Sequence, residues 1–224
     1  MLKPKSRLSK KKIKEDKLVT FYFNAIEYYN KYQNYILGGL AAVVVLVLVS
    51  VYFSNMQTEK EGKASGKLAV ARMHLSQMNT KVAIDTLEAV ISEFSGTNSA
   101  GVACFYLANT YFQQQNTESA QIYYQKYLDD YDDDALISSS SLAGVAACLE
   151  QKKEYKEAAK LYEKSTQKYP QVFDSADKLM SAARCYRLAG IKENAKKIYE
   201  QVIEEYPNSG YKNDAELFLA QLEV

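Results

Sequence analysis

Residues 145–170 read VAACLEQKKEYKEAAKLYEKSTQKYP, and residues 182–207 read AARCYRLAGIKENAKKIYEQVIEEYP. Laid over each other, they share Ala146 with Ala183, Ala158 with Ala195, Tyr162 with Tyr199, and Tyr169-Pro170 with Tyr206-Pro207. In both, the second alanine follows the first by 12 residues and a large residue follows four later. The same spacing recurs upstream in Leu107-Ala108, Tyr111, Ala120 and Tyr124, and again in Val70-Ala71, Ala83 and Leu87. The small residues at 71, 108, 146 and 183 are separated by 37, 38 and 37, and Leu219-Ala220 falls 37 beyond the last. An aromatic closes each stretch: Phe94, Tyr131, Tyr169 and Tyr206.

Self-similarity at this period predicts helix hairpins that cannot bury their apolar faces alone and so stack. An alanine on each helix lets the two axes approach closely, and the large residue one turn later fills the adjoining space. Pro170 and Pro207 end the second helix of their hairpins, because proline lacks the donor that would continue it. Gly190 falls between two helices, where a helix end favours a residue able to take positive φ. Nine glycines and three prolines leave little material for β-turns, and 19 tyrosines with no tryptophan suit helical packing. The fold expected for 64–224 is an all-α solenoid of about four hairpins, with 213–224 as a C-terminal capping helix.

This pattern resembles the tetratricopeptide repeat, W-x2-L-G-x2-Y, then A-x3-F, then P, over about 160 of the 224 residues. It departs in having no Trp, in Ala at the small position, and in a period of about 37 residues against 34. His74 stands where Tyr is usual, as expected of a terminal capping unit.

Ahead of the repeats, 35–53 read YILGGLAAVVVLVLVSVYF without a charge. A helix of this length spans ~28 Å, close to the ~30 Å hydrocarbon core, so a transmembrane helix is expected. The region before it is too long, and a small-residue cleavage site after Phe53 is lacking, for a cleaved signal peptide; no cysteine follows for a lipoprotein anchor. Residues 1–34 carry nine Lys/Arg against three Asp/Glu, whereas the rest carries 19 against 24, a split of +6 and −5. That asymmetry predicts a cytoplasmic N-terminus, with the linker 54–63 and the repeats on the far side, the periplasm of a bacterium. Leu18, Phe21, Tyr22, Ala25, Ile26 and Tyr29 recur at helical spacing. Residues 18–34 are therefore either a short helix in the cytoplasmic headgroup layer or a helical extension of the span.

Little catalytic chemistry is offered. His74 is the one histidine, and Gly38-Gly39 lies inside the apolar run with no Lys-Ser/Thr after it. The acidic run Asp129, Asp130, Asp132, Asp133 and Asp134 lacks the glycine and glutamate of a calcium loop and reads as a solvated turn. Cys104, Cys148 and Cys185 are odd in number, widely spaced and set in apolar runs, so small buried hydrophobes are expected. We expect no enzyme, no cofactor, no metal and no nucleic-acid partner.

What remains is a binding surface. In arrays of this family the first helix of each hairpin lines a groove, which here predicts Val102, Phe105, Asn109 and Phe112 in the second repeat, and Asp177, Met180, Arg184 and Arg187 in the fourth. Some members grip a C-terminal carboxylate. Arg72 and Asn109 fall near such positions, but Leu68, Tyr106, Ser140 and Gly144 occupy the others, which argues against a chaperone-tail receptor.

A basic tail, one span and a periplasmic repeat domain together resemble the ancillary-subunit family of the bacterial Sec translocon. The resemblance implies a single-pass inner-membrane adaptor that binds translocon subunits, periplasmic chaperones or emerging chains. The same architecture serves scaffolds of outer-membrane assembly or cell division, which is the alternative.

Overall fold

The computed structural model describes residues 17–222, with side chains from Thr20 onward. The described residues form nine helices and no strand: α1 Lys17–Ser76, α2 Thr80–Glu93, α3 Asn98–Gln113, α4 Thr117–Asp130, α5 Ala135–Gln151, α6 Tyr155–Lys168, α7 Ser175–Leu188, α8 Lys192–Glu205 and α9 Lys212–Leu222. The chain divides into two compact units, Met1–Met56 and Gln57–Val224.

In the first unit α1 carries the apolar run, and Leu40, Val44, Leu48 and Val51 are all exposed along it. Among the described residues this is the one helix long and apolar enough to cross a membrane. Residues 18–34 belong to α1 without a break. The basic residues from Lys3 to Lys14 lie outside the described residues.

The second unit is the stack of hairpins. Residues 54–63, expected as a linker, are helical and already serve the first hairpin. Gln57 Nε2 donates to Gly96 O at 2.8 Å, Lys60 Nζ to Ser95 O at 2.7 Å, and Glu61 accepts from the Ser99 amide at 3.1 Å. The hairpins are the C-terminal part of α1 with α2, joined by Leu68 and Ala71 against Leu87 and Val90 and by Lys67 to Glu93, then α3 with α4, α5 with α6, and α7 with α8; α9 packs on α8.

The alanines do what their spacing predicts. Ala71, Ala108, Ala146 and Ala183 on the first helices, and Ala83, Ala120, Ala158 and Ala195 on the second, are all 0% exposed. Leu87, Tyr124, Tyr162 and Tyr199, one turn later, are buried beside them. Close packing of this kind leaves no room for added bulk. A Cβ placed on Gly144 of α5 would meet the Tyr124 ring of α4 at 2.5 Å, and one on Gly101 would meet Tyr131 at 2.8 Å.

Each first helix ends in the same backbone motif. Met78, Gln115, Lys153 and Gly190 take φ of 59°, 61°, 64° and 74°, at intervals of 37, 38 and 37 residues. Each amide bonds a carbonyl three residues back: Met78 to Leu75, Gln115 to Phe112, Lys153 to Glu150, Gly190 to Arg187. The next amide reaches five back, from Asn79 to His74, Asn116 to Tyr111, Glu154 to Leu149 and Ile191 to Tyr186, all at 2.9 Å. This pair of bonds satisfies carbonyls that a helix end leaves open. The second helices end at Phe94, Tyr131, Tyr169 and Tyr206, the recurrent aromatics, which follow the last helical residue in every case.

Candidate interaction surface

The first helices present the residues expected to bind, and the structure uses them unevenly. On α3, Val102, Phe105, Asn109 and Phe112 are half-buried and share one face. Val102 packs against the core between the first two hairpins, and Phe105 and Phe112 against the next cluster. The Phe105 ring lies 6.2 Å from both Tyr106 and Tyr124. Asn109 Oδ1 accepts from the Tyr124 hydroxyl at 2.5 Å. Burial pushes that phenol well above its ordinary value, so it stays a neutral donor. This face is an aromatic shelf whose rims remain open.

On α7 the expectation needs correction at one residue. Met180 is buried in the cluster that also holds Ala143 and Ala147 of α5, and lines no open surface. Small residues on α5 leave a gap that the flexible thioether fills. Asp177 and Arg184 remain exposed and Arg187 half-exposed. Arg184 grips Glu150 of α5 with Nε at 2.9 Å and Nη2 at 3.0 Å, a two-point arrangement, and Glu150 also accepts from Tyr162 at 3.3 Å. The Arg187 guanidinium stands 5.1 Å over the Phe218 ring of α9, and its buried Nε has no hydrogen-bond partner.

Sequence reasoning missed Glu150 and Phe218, which complete these pairs, and the pairing of Arg72 with Tyr106. Arg72 of α1 lies 5.4 Å over the Tyr106 ring of α3. Three couplings therefore link successive first helices: Arg72 with Tyr106, Glu150 with Arg184, and Arg187 with Phe218. The spacing of arginine against aromatic or glutamate one repeat apart was the available signal.

A second omission is Lys178. It lies on the core stripe of α7 and is only 3% exposed. Its Nζ donates to Ser139 Oγ at 2.7 Å and pairs with Asp174. The Ser139 and Ser165 hydroxyls lie 2.8 Å apart, and Ser165 Oγ also donates to Ser139 O at 2.9 Å. This relay ties α5, α6 and α7 through groups that are nearly all hidden from water.

The acidic run is structural in part. Asp134 caps α5, accepting from the Leu136 and Ile137 amides at 2.8 and 3.0 Å. Asp132, at a φ of 39°, accepts from Lys168 Nζ at 2.7 Å and from the Tyr169 hydroxyl at 2.5 Å. Burial alone would raise its carboxyl; those two bonds outweigh burial and hold it below its ordinary value. No cluster able to hold a metal ion occurs among the described residues. Cys104, Cys148 and Cys185 are free, fully buried thiols, raised by burial to about 12, 11 and 12.

A depression of about 810 Å³ lies elsewhere, along α4 between Glu118 and Asp130 and reaching Lys152. Its charges are largely satisfied internally, Lys126 by Asp130 and Lys152 by Gln121, so its size says little about binding.

No curated protein sequence matches the chain. Among solved structures it is similar to a tetratricopeptide repeat protein from Parabacteroides merdae, at 13% identity and a TM-score of 0.61 over 71% of this chain and 60% of that one. It is also similar to Pseudomonas aeruginosa PilF, at 18% identity and 0.54 over 73% and 68%, and to the MamA protein, at 16% and 0.54 over 63% and 72%. At such identities the likeness is one of fold. The chain spans three-fifths of the Parabacteroides protein. The tetratricopeptide repeat model matches residues 179–209, and the model of the tetratricopeptide repeat-like domain matches 27–178. The chain belongs to the tetratricopeptide repeat-like domain family.

Proposed function

We propose that the protein is a membrane-anchored adaptor whose repeat array binds other proteins at the surface of a bacterial inner membrane. The observation that carries this reading is α1 itself. One helix of 60 residues holds both the uncharged run of 35–53 and the first helix of the first hairpin. The basic N-terminal tail orients it with the array in the periplasm. Holding the array at one membrane site raises the local concentration of weakly bound partners without any new contact.

The partner side is read from the first-helix face. The α3 shelf of Val102, Phe105, Asn109 and Phe112 accepts apolar side chains, and Arg72 and Arg187, held over aromatic rings with no carboxylate partner shown, accept acidic ones, while Arg184 takes part only if a ligand displaces Glu150. An extended segment or a partner helix suits such a surface. The translocation channel and its periplasmic chaperones are the partners this reading favours.

Photo-crosslinkers at Asn109 and Arg184 in native membranes test it, with the captured proteins identified by mass. Capture of Sec channel subunits is expected; capture of only cell-wall or outer-membrane assembly factors would falsify the translocon assignment. Topology is checked separately: an introduced Lys60→Cys must react with an impermeant thiol reagent from outside, and Lys10→Cys must not.

A further inference from the structure

The joint between the third and fourth hairpins leaves apolar surface in water. Phe173, in the turn after α6, is 87% exposed, and Leu136, in the first turn of α5, is 45% exposed. They border a depression of about 350 Å³ that Val172 and Ala135 floor and Asp134 and Gln171 flank. Val172 is buried with Leu142 and Tyr169, and Ala135 packs against them, so the floor is continuous with the core. The repeat itself does not ask for an aromatic at this edge. Four residues beyond the aromatic that closes each hairpin stand Asn98, Ala135, Phe173 and Gly210. Three joints thus carry a polar or small residue there, and Phe173 enters none of the core clusters. Large apolar groups held open around a depression mark a contact surface.

Charge decides what fits there. Residues 131–137 and 169–177, which meet at the joint, hold five aspartates and no basic residue. Lys168 offsets Asp132, and Lys178 offsets Asp174. Asp133, Asp134 and Asp177 make no ion pair among the described residues. Asp134 lines the depression, and Asp177 stands in the first turn of α7. The N-termini of α5 and α7 bring about half a positive charge each, and Asp134 already takes two of the α5 amides. Three carboxylates outweigh two helix ends, so the field at the joint is negative. That sign repels phosphate headgroups and nucleic acid and attracts Lys or Arg.

We propose that this joint docks a segment of a partner protein in which an apolar residue or pair is flanked on both sides by Lys or Arg. The apolar side chain fills the depression between Leu136 and Phe173 and covers Val172. A flanking cation pairs with Asp133 or Asp134, or lies over the open face of the Phe173 ring. Apolar fill supplies most of the affinity, and the carboxylates select the sign of the partner and speed its approach. The surface is made of turns between hairpins and is separate from the first-helix face. One array can therefore hold a basic segment here and another partner on its first helices.

The test uses the full chain in phosphatidylcholine nanodiscs and the fluorescein-labelled, amidated peptide Lys-Arg-Leu-Leu-Arg-Lys, read by anisotropy with empty discs as the baseline. Binding above that baseline is expected. Phe173→Ser should weaken it about tenfold and Leu136→Ser about fivefold, since each removes apolar surface that the peptide covers. Asp133→Asn and Asp177→Asn should each weaken it about threefold and flatten its dependence on salt. Ile122→Ser is the control: Ile122 is 63% exposed beside Glu118, Asp129 and Asp130, so it shares the negative field but not the depression. Its binding should match the parent. A peptide with Ser for both Leu should bind at least tenfold more weakly, and one with Glu for every Lys and Arg should not bind. Because Phe173 is exposed, Phe173→Ser should melt with the parent; if Leu136→Ser melts lower, Phe173→Ser alone decides. No binding above empty discs, parent-like binding by Phe173→Ser, an equal loss in Ile122→Ser, or binding of the acidic peptide each overturns the proposal. Equal binding of the peptide lacking Leu does so too, since it leaves only nonspecific attraction between charges.

Discussion

After His74, Tyr111, Leu149 and Tyr186 the chain turns the same way four times, with one left-handed residue and one pair of bonds. The turns that join one hairpin to the next share backbone bonds in three of four cases, Thr97 to Phe94, Val172 to Tyr169 and Ser209 to Tyr206, but differ in the side chains that fix them. The first uses Gly96 at a φ of 76° and a Thr97 cap, and the second uses Asp132 clamped by Lys168 and Tyr169. The third puts Asp174 beside a buried lysine. Inside a hairpin the two helices are tied by small residues in contact, so the backbone must close in one way whatever side chain sits there. Between hairpins each pair of faces differs, and the joint is made from whichever side chains are at hand.

Removing a single side chain should therefore cost most between hairpins where its partner is buried, as at Lys178, and little where the joint is open to solvent, as at Asp132. Asp174→Ala leaves the Lys178 ammonium buried with only Ser139 beside it, which is expected to destabilise the array by about 3 kcal/mol, whereas Lys178→Met removes the charge altogether and should cost far less. Urea unfolding of the two variants reads the difference directly; equal losses would mean that the pair is not what holds the joint. Next in size, Gly144→Ala drives a methyl group into the Tyr124 ring and should cost about 2 kcal/mol by the same measurement.

Inside a hairpin the effects should be smaller and opposite in sign. Gly190→Ala forces a Cβ into the left-handed region and should lose about 1 kcal/mol, while Lys153→Gly relieves the same strain and should gain somewhat less than about 1 kcal/mol, because glycine also loosens the unfolded chain. If both substitutions destabilise, the two turns are not equivalent. The smallest effect is at Asp132, where solvent screens the pair. Its carboxyl is held below the ordinary value, so its contribution is complete above about pH 4 and disappears as pH falls through the folded value. Asp132→Asn should melt below the parent at pH 7, and the gap should close at low pH. A gap that persists in acid would assign the effect to lost packing.

This contrast also decides what was readable from residues alone. The alanine and tyrosine spacing was legible because packing two helices at close range tolerates few side chains. Of the four left-handed turns only Gly190 announced itself; Met78, Gln115 and Lys153 adopt the same φ under tertiary constraint, with no residue signal. Lys178 was hidden by the expectation that lysine lies outside, although its place on the stripe of Leu179, Ala182 and Tyr186 put it inside. Met180 was assigned to an open groove because the smallness of Ala143 and Ala147 on the neighbouring helix was not weighed. Arg184 and Arg187 stand out in the sequence, but their partners Glu150 and Phe218 lie 34 and 31 residues away and become neighbours only in the fold.

The three thiols have a practical consequence. Cys104, Cys148 and Cys185 fall one each in the second, third and fourth hairpins, all on first helices and all fully buried. Held far from their thiolate form, they react only when their own hairpin opens. The sequence thus carries one chemical clock in each of the last three hairpins. Timed alkylation followed by mass analysis would report the order in which the array comes apart, with no foreign label in the chain.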